Sequence, residues 1–250
     1  MNRIDGQHAQ ASAAHPGSAA PEDADEIVHF YSDPRRDGMS LLEIWEHGEA
    51  DADSITPATY CPAYRAWIGA YLDDLLEGTT GRLVSLGCGN GFVERDLIAR
   101  GYDVLGVDVA PEAVELARKK GVPAVVADVR CWDPATTPNV VYADGLFGHL
   151  AGEELDPVVA RIASWLAPVN GTVVISNDAP RDGYVQRAPG VVHFHWLSEQ
   201  YLVDTLERGG FGVEETRTFE YLRPISGTRT RIIVAATAGA EGGGSPPTWP

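Results

Sequence analysis

Between Leu83 and Ala236 the apolar residues follow two alternating rhythms. Short runs rich in valine, isoleucine and leucine, at 82–86, 103–107, 124–126, 140–142 and 172–176, have the near-continuous hydrophobicity of strands covered on both faces. Segments 93–100, 111–120, 155–166 and 198–208 instead carry apolar residues at helical spacing, which predicts helices with one buried stripe. Two of these helices are well punctuated. Pro111 suits a first helical position and Gly121 the left-handed residue after the last turn, whereas Ser198 caps the later helix and Gly209 and Gly210 stop it. Strand alternating with helix is the signature of a parallel sheet. The last two runs, 213–221 and 229–236, are joined by RPISGT, which has no room for a helix, so they are expected to pair antiparallel. A chain of 250 residues also suits a (β/α)8 barrel, but the helix-free final pair breaks that repeat. The expected class is therefore α/β, a doubly wound sheet of about seven strands, mostly parallel with an antiparallel last strand.

The flanking segments behave differently. Residues 1–26 are Ala, Ser, Gly, Pro and acid, and 9–21 hold no large apolar residue, so burial cannot offset their ordering entropy and a disordered tail is expected. The same holds for AGAEGGGSPPTWP at 238–250. Residues 27–78 are too long for a linker and contain Phe30, Tyr31, Trp45, Tyr60, Tyr64, Trp67 and Tyr71, which suggests a helical lid on a core spanning 79–237. Within it Tyr60, Tyr64, Trp67 and Tyr71 recur at helical spacing, a pattern of packing more than of a ligand cage.

Charge narrows the partners. Thirty-six acidic against 19 basic residues leave a formal charge of −17, most of it between the tails. Such a surface repels phosphate backbones, which argues against nucleic acid and anionic membranes as partners. No run approaches the roughly 20 apolar residues of a bilayer span, and the first residues lack the cationic start and apolar stretch of a secretion signal, so a cytoplasmic location is expected. Cys61, Cys88 and Cys131 lie far apart without CxxC spacing, which points to reduced thiols and to no structural metal. Only two of the 19 basic residues are lysines, a bias of GC-rich, bacterial coding.

The most informative stretch is LVSLGCGNGF at 83–92, where a buried strand runs into Gly87, Gly89 and Gly91 and then into a helix. Glycines there open backbone conformations closed to other residues and let a ligand approach the main chain. Asp108 ends the next strand, 21 residues after Gly87, where a carboxylate can accept both hydroxyls of an adenosine ribose. Ala127-Asp128-Val129 follows the third strand, and there an acid can accept an adenine amino group while the next N–H meets a ring nitrogen. A dinucleotide fingerprint needs a small residue where Phe92 stands. The GxGxG loop thus favours S-adenosylmethionine over NAD.

The order LGCGNG, GVD, ADV, YADGLFGHL and APVNGTVVISND resembles the class I S-adenosylmethionine-dependent methyltransferases, of small-molecule, natural-product type, over roughly 75–236. The resemblance implies a Rossmann-like core. It implies Gly87, Cys88 and Gly89 at the amino-acid end of the cofactor, Asp108 with Val109 at its ribose, Asp128 and Val129 at its adenine, and Asp144 facing the sulfonium.

Methyl transfer is an in-line displacement, so holding the acceptor about 3 Å from the methyl in a dry pocket supplies most of the rate without a metal. The fourth strand ends in a loop carrying Asp144, Phe147 and His149, and the fifth ends in Asn177 and Asp178, where Asp178 could take a proton. His149, Asn177 and Asp178 are the catalytic candidates. Tyr31, Trp45, Glu46, Tyr60 and Arg65 from the lid, Phe147, and His193, His195 and Trp196 from an insertion at about 179–197 are the candidates for acceptor binding. The aromatic content suggests a flat, indole-like small molecule methylated on N or C, with O-methylation, an NAD-dependent dehydrogenase and a non-catalytic binding module as alternatives. A homodimer is compatible with these features.

Overall fold

The computed structural model describes residues 22–49, 57–150, 152–180, 194–223 and 227–239. Strands β1 (Arg82–Leu86), β2 (Asp103–Asp108), β3 (Ala124–Val126), β4 (Val140–Asp144), β5 (Thr172–Asp178), β6 (Phe211–Arg223) and β7 (Gly227–Ala238) form one sheet in the order β3-β2-β1-β4-β5-β7-β6. The first five pair in parallel. β7 inserts between β5 and β6 and runs antiparallel to both. This is the seven-stranded, doubly wound α/β architecture anticipated from the alternating pattern.

Successive side chains on a strand face opposite ways, and the two faces collect different helices. Leu83, Val104, Val140, Tyr142, Val174 and Ile233 meet Tyr64, Ile68 and Leu72 of α3 (Pro62–Leu76) and Val93 and Leu97 of α4 (Phe92–Ile98). Val84, Leu86, Val107, Val141, Val173 and Val234 meet α6 (Gly152–Leu166) and α7 (Glu199–Arg208) through Leu155, Val159, Ile162 and Leu202. α5 (Pro111–Lys119) packs beside β2 and β3 through Ala113, Val114 and Ala117. Its Gly121 has φ 83°, as the stop at that position requires, and the Ser198 hydroxyl accepts the Tyr201 N–H at 3.2 Å.

Some boundaries move. The final pair is longer than 213–221 and 229–236, because its ends carry polar residues that a hydrophobic pattern misses and that ladder pairing and burial satisfy, Arg223 and Thr228 among them. The expected tail at 1–26 gives way at Glu22, where α1 (Glu22–Ser32) begins, since Ala24 and Ile27 find apolar surface to cover. Ala238, placed in the other tail, is buried at the end of β7. Residues 1–21, 240–250, His193 and most of the expected insertion lie outside the described residues. Of the expected lid, α3 is a layer of the core: Tyr64, Trp67 and Tyr71 stack in sequence, and the first two pack on Phe219. Cover is left to α1 and to α2 (Leu41–Glu46), which Ser40 and Glu43 cap reciprocally. No helix among the described residues is long and apolar enough to cross a membrane.

Candidate active site

Connections leave β1 and β4 toward opposite edges of the sheet, and this reversal opens a crevice at the strands' carboxyl ends. The cleft there encloses about 1170 Å³ of empty space, its open mouth included. Its floor is the glycine loop, with φ of 67° at Gly87, 50° at Gly89 and 73° at Gly91. The two later glycines serve different ends. A Cβ at Gly91 would stand 2.9 Å from Ala117, whereas one at Gly89 would meet no atom within 4 Å and would project into open space. Gly87 and Cys88 donate their N–H groups to Val107 O at 2.8 and 3.1 Å, and Gly89 donates to Asp108 Oδ2 at 2.8 Å.

Asp108 lines the cleft and also accepts from Ala110 N at 2.9 Å. Burial pushes its carboxyl upward, and the N–H groups of Ala110, Gly89 and Val109 oppose that shift. Val109, Asp128 and Val129 line the same wall. Both oxygens of Asp128 are gripped by Arg130 at 2.9–3.0 Å, so the acid expected at the adenine stands in the cleft as an ion pair and not as a bare acceptor. Cys88 is buried and its thiol is pushed well up by desolvation, which suits a packing role. Asp144 lines the cleft with Oδ1 engaged by Arg231.

The N-terminal helices close the other side through Ala24, Ile27 and Tyr31 of α1 and Leu42 and Trp45 of α2. They are fastened to the core by polar side chains. Asn90 Nδ2 donates to Leu42 O at 2.9 Å and Glu46 Oε1 at 2.6 Å, Lys120 pairs with Glu46, and Ser40 donates to Glu112 at 2.6 Å. Tyr31 and His149 share a hydrogen bond of 2.8 Å between the hydroxyl and Nε2 across the mouth. Burial drives the His149 imidazole down to about 4, so it is neutral at physiological pH.

Three atoms of cleft-lining residues, Trp45 Nε1, Asn90 Oδ1 and His149 Nδ1, are buried without a partner among the described residues. An unsatisfied buried polar atom costs about 1–3 kcal/mol, so three in one cavity mark a place for a polar ligand. Together with the open space over Gly89 and the ribose-reaching Asp108, they fit a nucleoside with an amino-acid tail. Sequence reasoning missed Glu94 of α4, which lines the cleft while only 3% exposed and accepts the Ser85 hydroxyl at 2.5 Å. Its signal was a carboxylate between Val93 and Leu97 on a buried helical face.

Several expected site residues stand elsewhere. Asp178 is wholly buried, and its oxygens are held by Tyr221 at 2.8 Å twice, Arg231 at 2.9 Å and Arg223, which removes it from the position of a proton acceptor facing the cleft. Asn177 is likewise fully buried. Glu46 is a clamp to Asn90 and Lys120. Arg65 donates to Ala58 O and Thr59 O, Tyr60 packs against Tyr221, and Phe147 is in the core. His195 and Trp196 border a separate depression with Tyr201, although Phe194, just before them in sequence, and His149 in the cleft have ring centroids 5.0 Å apart. No group of three or more potential metal ligands occurs among the described residues.

A family model described as a methyltransferase domain matches residues 61–216. Over 225 residues the chain is 42% identical to the tabtoxin biosynthesis enzyme of Pseudomonas amygdali pv. tabaci, spanning 86% of this chain and 88% of that one. A stretch of 93 residues, 34% of this chain and 36% of the relative, is 38% identical to the trans-aconitate 2-methyltransferase of Mycolicibacterium gilvum. Magnesium protoporphyrin IX methyltransferase from Synechocystis PCC 6803, solved with bound S-adenosylmethionine, shares the fold with a TM-score of 0.62 at 17% identity, over 89% of this chain and 100% of that one. Sheet order and nucleoside cleft thus define a class I methyltransferase fold. The chain belongs to the S-adenosylmethionine-dependent methyltransferase family, and S-adenosylmethionine is its cofactor.

Proposed function

We propose that the protein methylates a nitrogen or carbon nucleophile of a small, flat, indole-like molecule held under α1 and α2. The observation that carries this reading is one shared cavity: Tyr31, Trp45 and His149 face into the space that Gly89 and Asp108 border. Bound S-adenosylmethionine supplies an electrophilic methyl group on a sulfonium. Gly87, Cys88 and Gly89 would hold its amino-acid end, Asp108 its ribose hydroxyls, and Val109, Asp128 and Val129 the adenine side, with Asp128 acting alongside Arg130. Tyr31 and Trp45, whose ring centroids are 5.8 Å apart, offer the acceptor an aromatic wall and exclude water. His149 is neutral, so its Nδ1 can accept a hydrogen bond or a proton from an acceptor N–H, with Tyr31 fixing the ring through Nε2. Catalysis on this reading is mainly positioning.

Methylation of an acidic oxygen is the second reading, and it is favoured by the stretch shared with a trans-aconitate 2-methyltransferase. Incubation of the full chain with methyl-labelled S-adenosylmethionine and parallel panels of indoles, amines, phenols and carboxylic acids tests both. Labelled product is expected from the heteroaromatic panel. Turnover of the carboxylic acids alone would replace the first reading by the second.

A further inference from the structure

The cationic cofactor has two positively charged groups, and the cleft must offset them. Three cleft-lining acids have known neighbours: Asp128 is paired with Arg130, Asp144 with Arg231, and Asp108 with backbone N–H groups at the place expected for the ribose. Glu94 remains. It lies on the first turn of α4 directly after the glycine loop, and its neighbour Ser85 is on β1 directly before that loop. No arginine, lysine or histidine forms an ion pair with it among the described residues, and Arg95 on the same helix is turned to Asp96 at 2.7 Å. The charged groups that act on it from surrounding elements are Asp144 and Asp108, both raising it, with the Tyr142 hydroxyl and the Cys88 thiol nearby and the Arg231 guanidinium beyond them, engaged by Asp144. The ammonium of the amino-acid tail needs an oxygen acceptor. Asn90 Oδ1, buried and unpartnered in the same cleft, offers a second acceptor near that end of the loop.

We propose that Glu94, oriented by Ser85, is the carboxylate that receives the α-ammonium of S-adenosylmethionine, and that its proton leaves as the cofactor arrives. Without the ligand, burial and acidic neighbours push Glu94 up to about 7, so near neutral pH part of the population holds a proton. An ammonium beside it favours the charged form, so binding releases the proton to solvent. The sign follows: affinity is weaker where the empty site is protonated, and strengthens as pH rises to and past 7. This inference rests on the cofactor binding in this cleft.

Calorimetric titration of the full chain with S-adenosylhomocysteine and with 5′-methylthioadenosine, from pH 6 to 8 in buffers of different ionisation enthalpy, separates the two ideas. The second ligand keeps the nucleoside and thioether but lacks the ammonium and carboxylate. Wild-type protein is expected to release part of a proton on binding S-adenosylhomocysteine and to bind it about tenfold tighter at pH 8 than at pH 6. Glu94→Gln should abolish the release and weaken binding about 10- to 100-fold at pH 8. 5′-Methylthioadenosine should show neither effect. Equal proton release with both ligands, or an unchanged Glu94→Gln titration, overturns the role of Glu94 and leaves the donor site standing; failure of the wild type to bind either ligand overturns the donor site with it. The wild-type measurement needs no variant, and Ser85→Ala, which keeps the carboxylate, should retain the release with weaker binding.

Discussion

Asp108 and Asp178 both end strands of the same sheet, on the same side, yet their surroundings are opposite. Asp108 borders the cleft and receives backbone N–H groups from Gly89 and Ala110. Asp178 has no exposed surface, and Tyr221, Arg223 and Arg231 converge on its two oxygens. Backbone donors leave lone pairs that a ligand can use, whereas guanidinium forks consume them. An acid at a strand end therefore marks a binding position only where its own fold leaves it unsaturated, and the same residue type three strands away is masonry.

The largest effect that could break this contrast is on stability. Asp178→Asn would leave Arg223 and Arg231 buried beside a neutral amide, and a loss of about 3–5 kcal/mol is expected in denaturant unfolding. A loss below about 1 kcal/mol would mean that the cluster is not held by its acid.

Next comes a pair of opposing pH slopes. His149 is depressed to about 4, so its contribution to stability is lost as pH falls from 6.5 toward 4; Glu94 is raised to about 7, so its penalty is relieved as pH falls from 7 toward 4.5. The two nearly cancel in the wild type. Relative to it, Glu94→Gln should lose stability on acidification and His149→Asn should gain it, each by on the order of 3 kcal/mol between pH 7 and 4.5. Parallel unfolding curves for all three proteins would contradict both burial assignments.

Asp108→Ala sharpens the cleft side. Affinity for S-adenosylhomocysteine should fall by about 1.5–3 kcal/mol with little change in unfolding, as measured by titration and denaturation on one preparation. The smallest effect compares two glycines. Both Gly89→Ala and Gly91→Ala incur roughly 1–2 kcal/mol for a left-handed residue. Gly91→Ala also crowds Ala117, so it should lose at least about 1 kcal/mol more stability, while Gly89→Ala should weaken donor binding instead. Identical stability losses would remove the distinction between a packing glycine and a cleft glycine.

What could be read from the chain alone was whatever is local. The βαβ rhythm, the GxGxG loop and the acid at Asp108 lie within 26 residues of one another, and short-range geometry fixes their relation. Asp178 was misjudged because its partners are 43 to 53 residues away on β6 and β7, and nothing near it signals that Tyr221, Arg223 and Arg231 turn inward. Glu94 escaped because its meaning depends on a fold that gives it no ion-pair partner among the described residues. Glu46 and Arg65 were judged by chemistry, yet each is tied to backbone or to a neighbouring element before it can reach a ligand.

Because β7 is flanked on both sides, the ribosome delivers the keystone after every block it locks. Until Gly227–Ala238 has emerged, β5 and β6 have no common neighbour and Asp178 lacks Arg231. A nascent chain stalled before this point would present an unpaired, hydrophobic sheet margin, the kind of surface on which chaperones and aggregation compete.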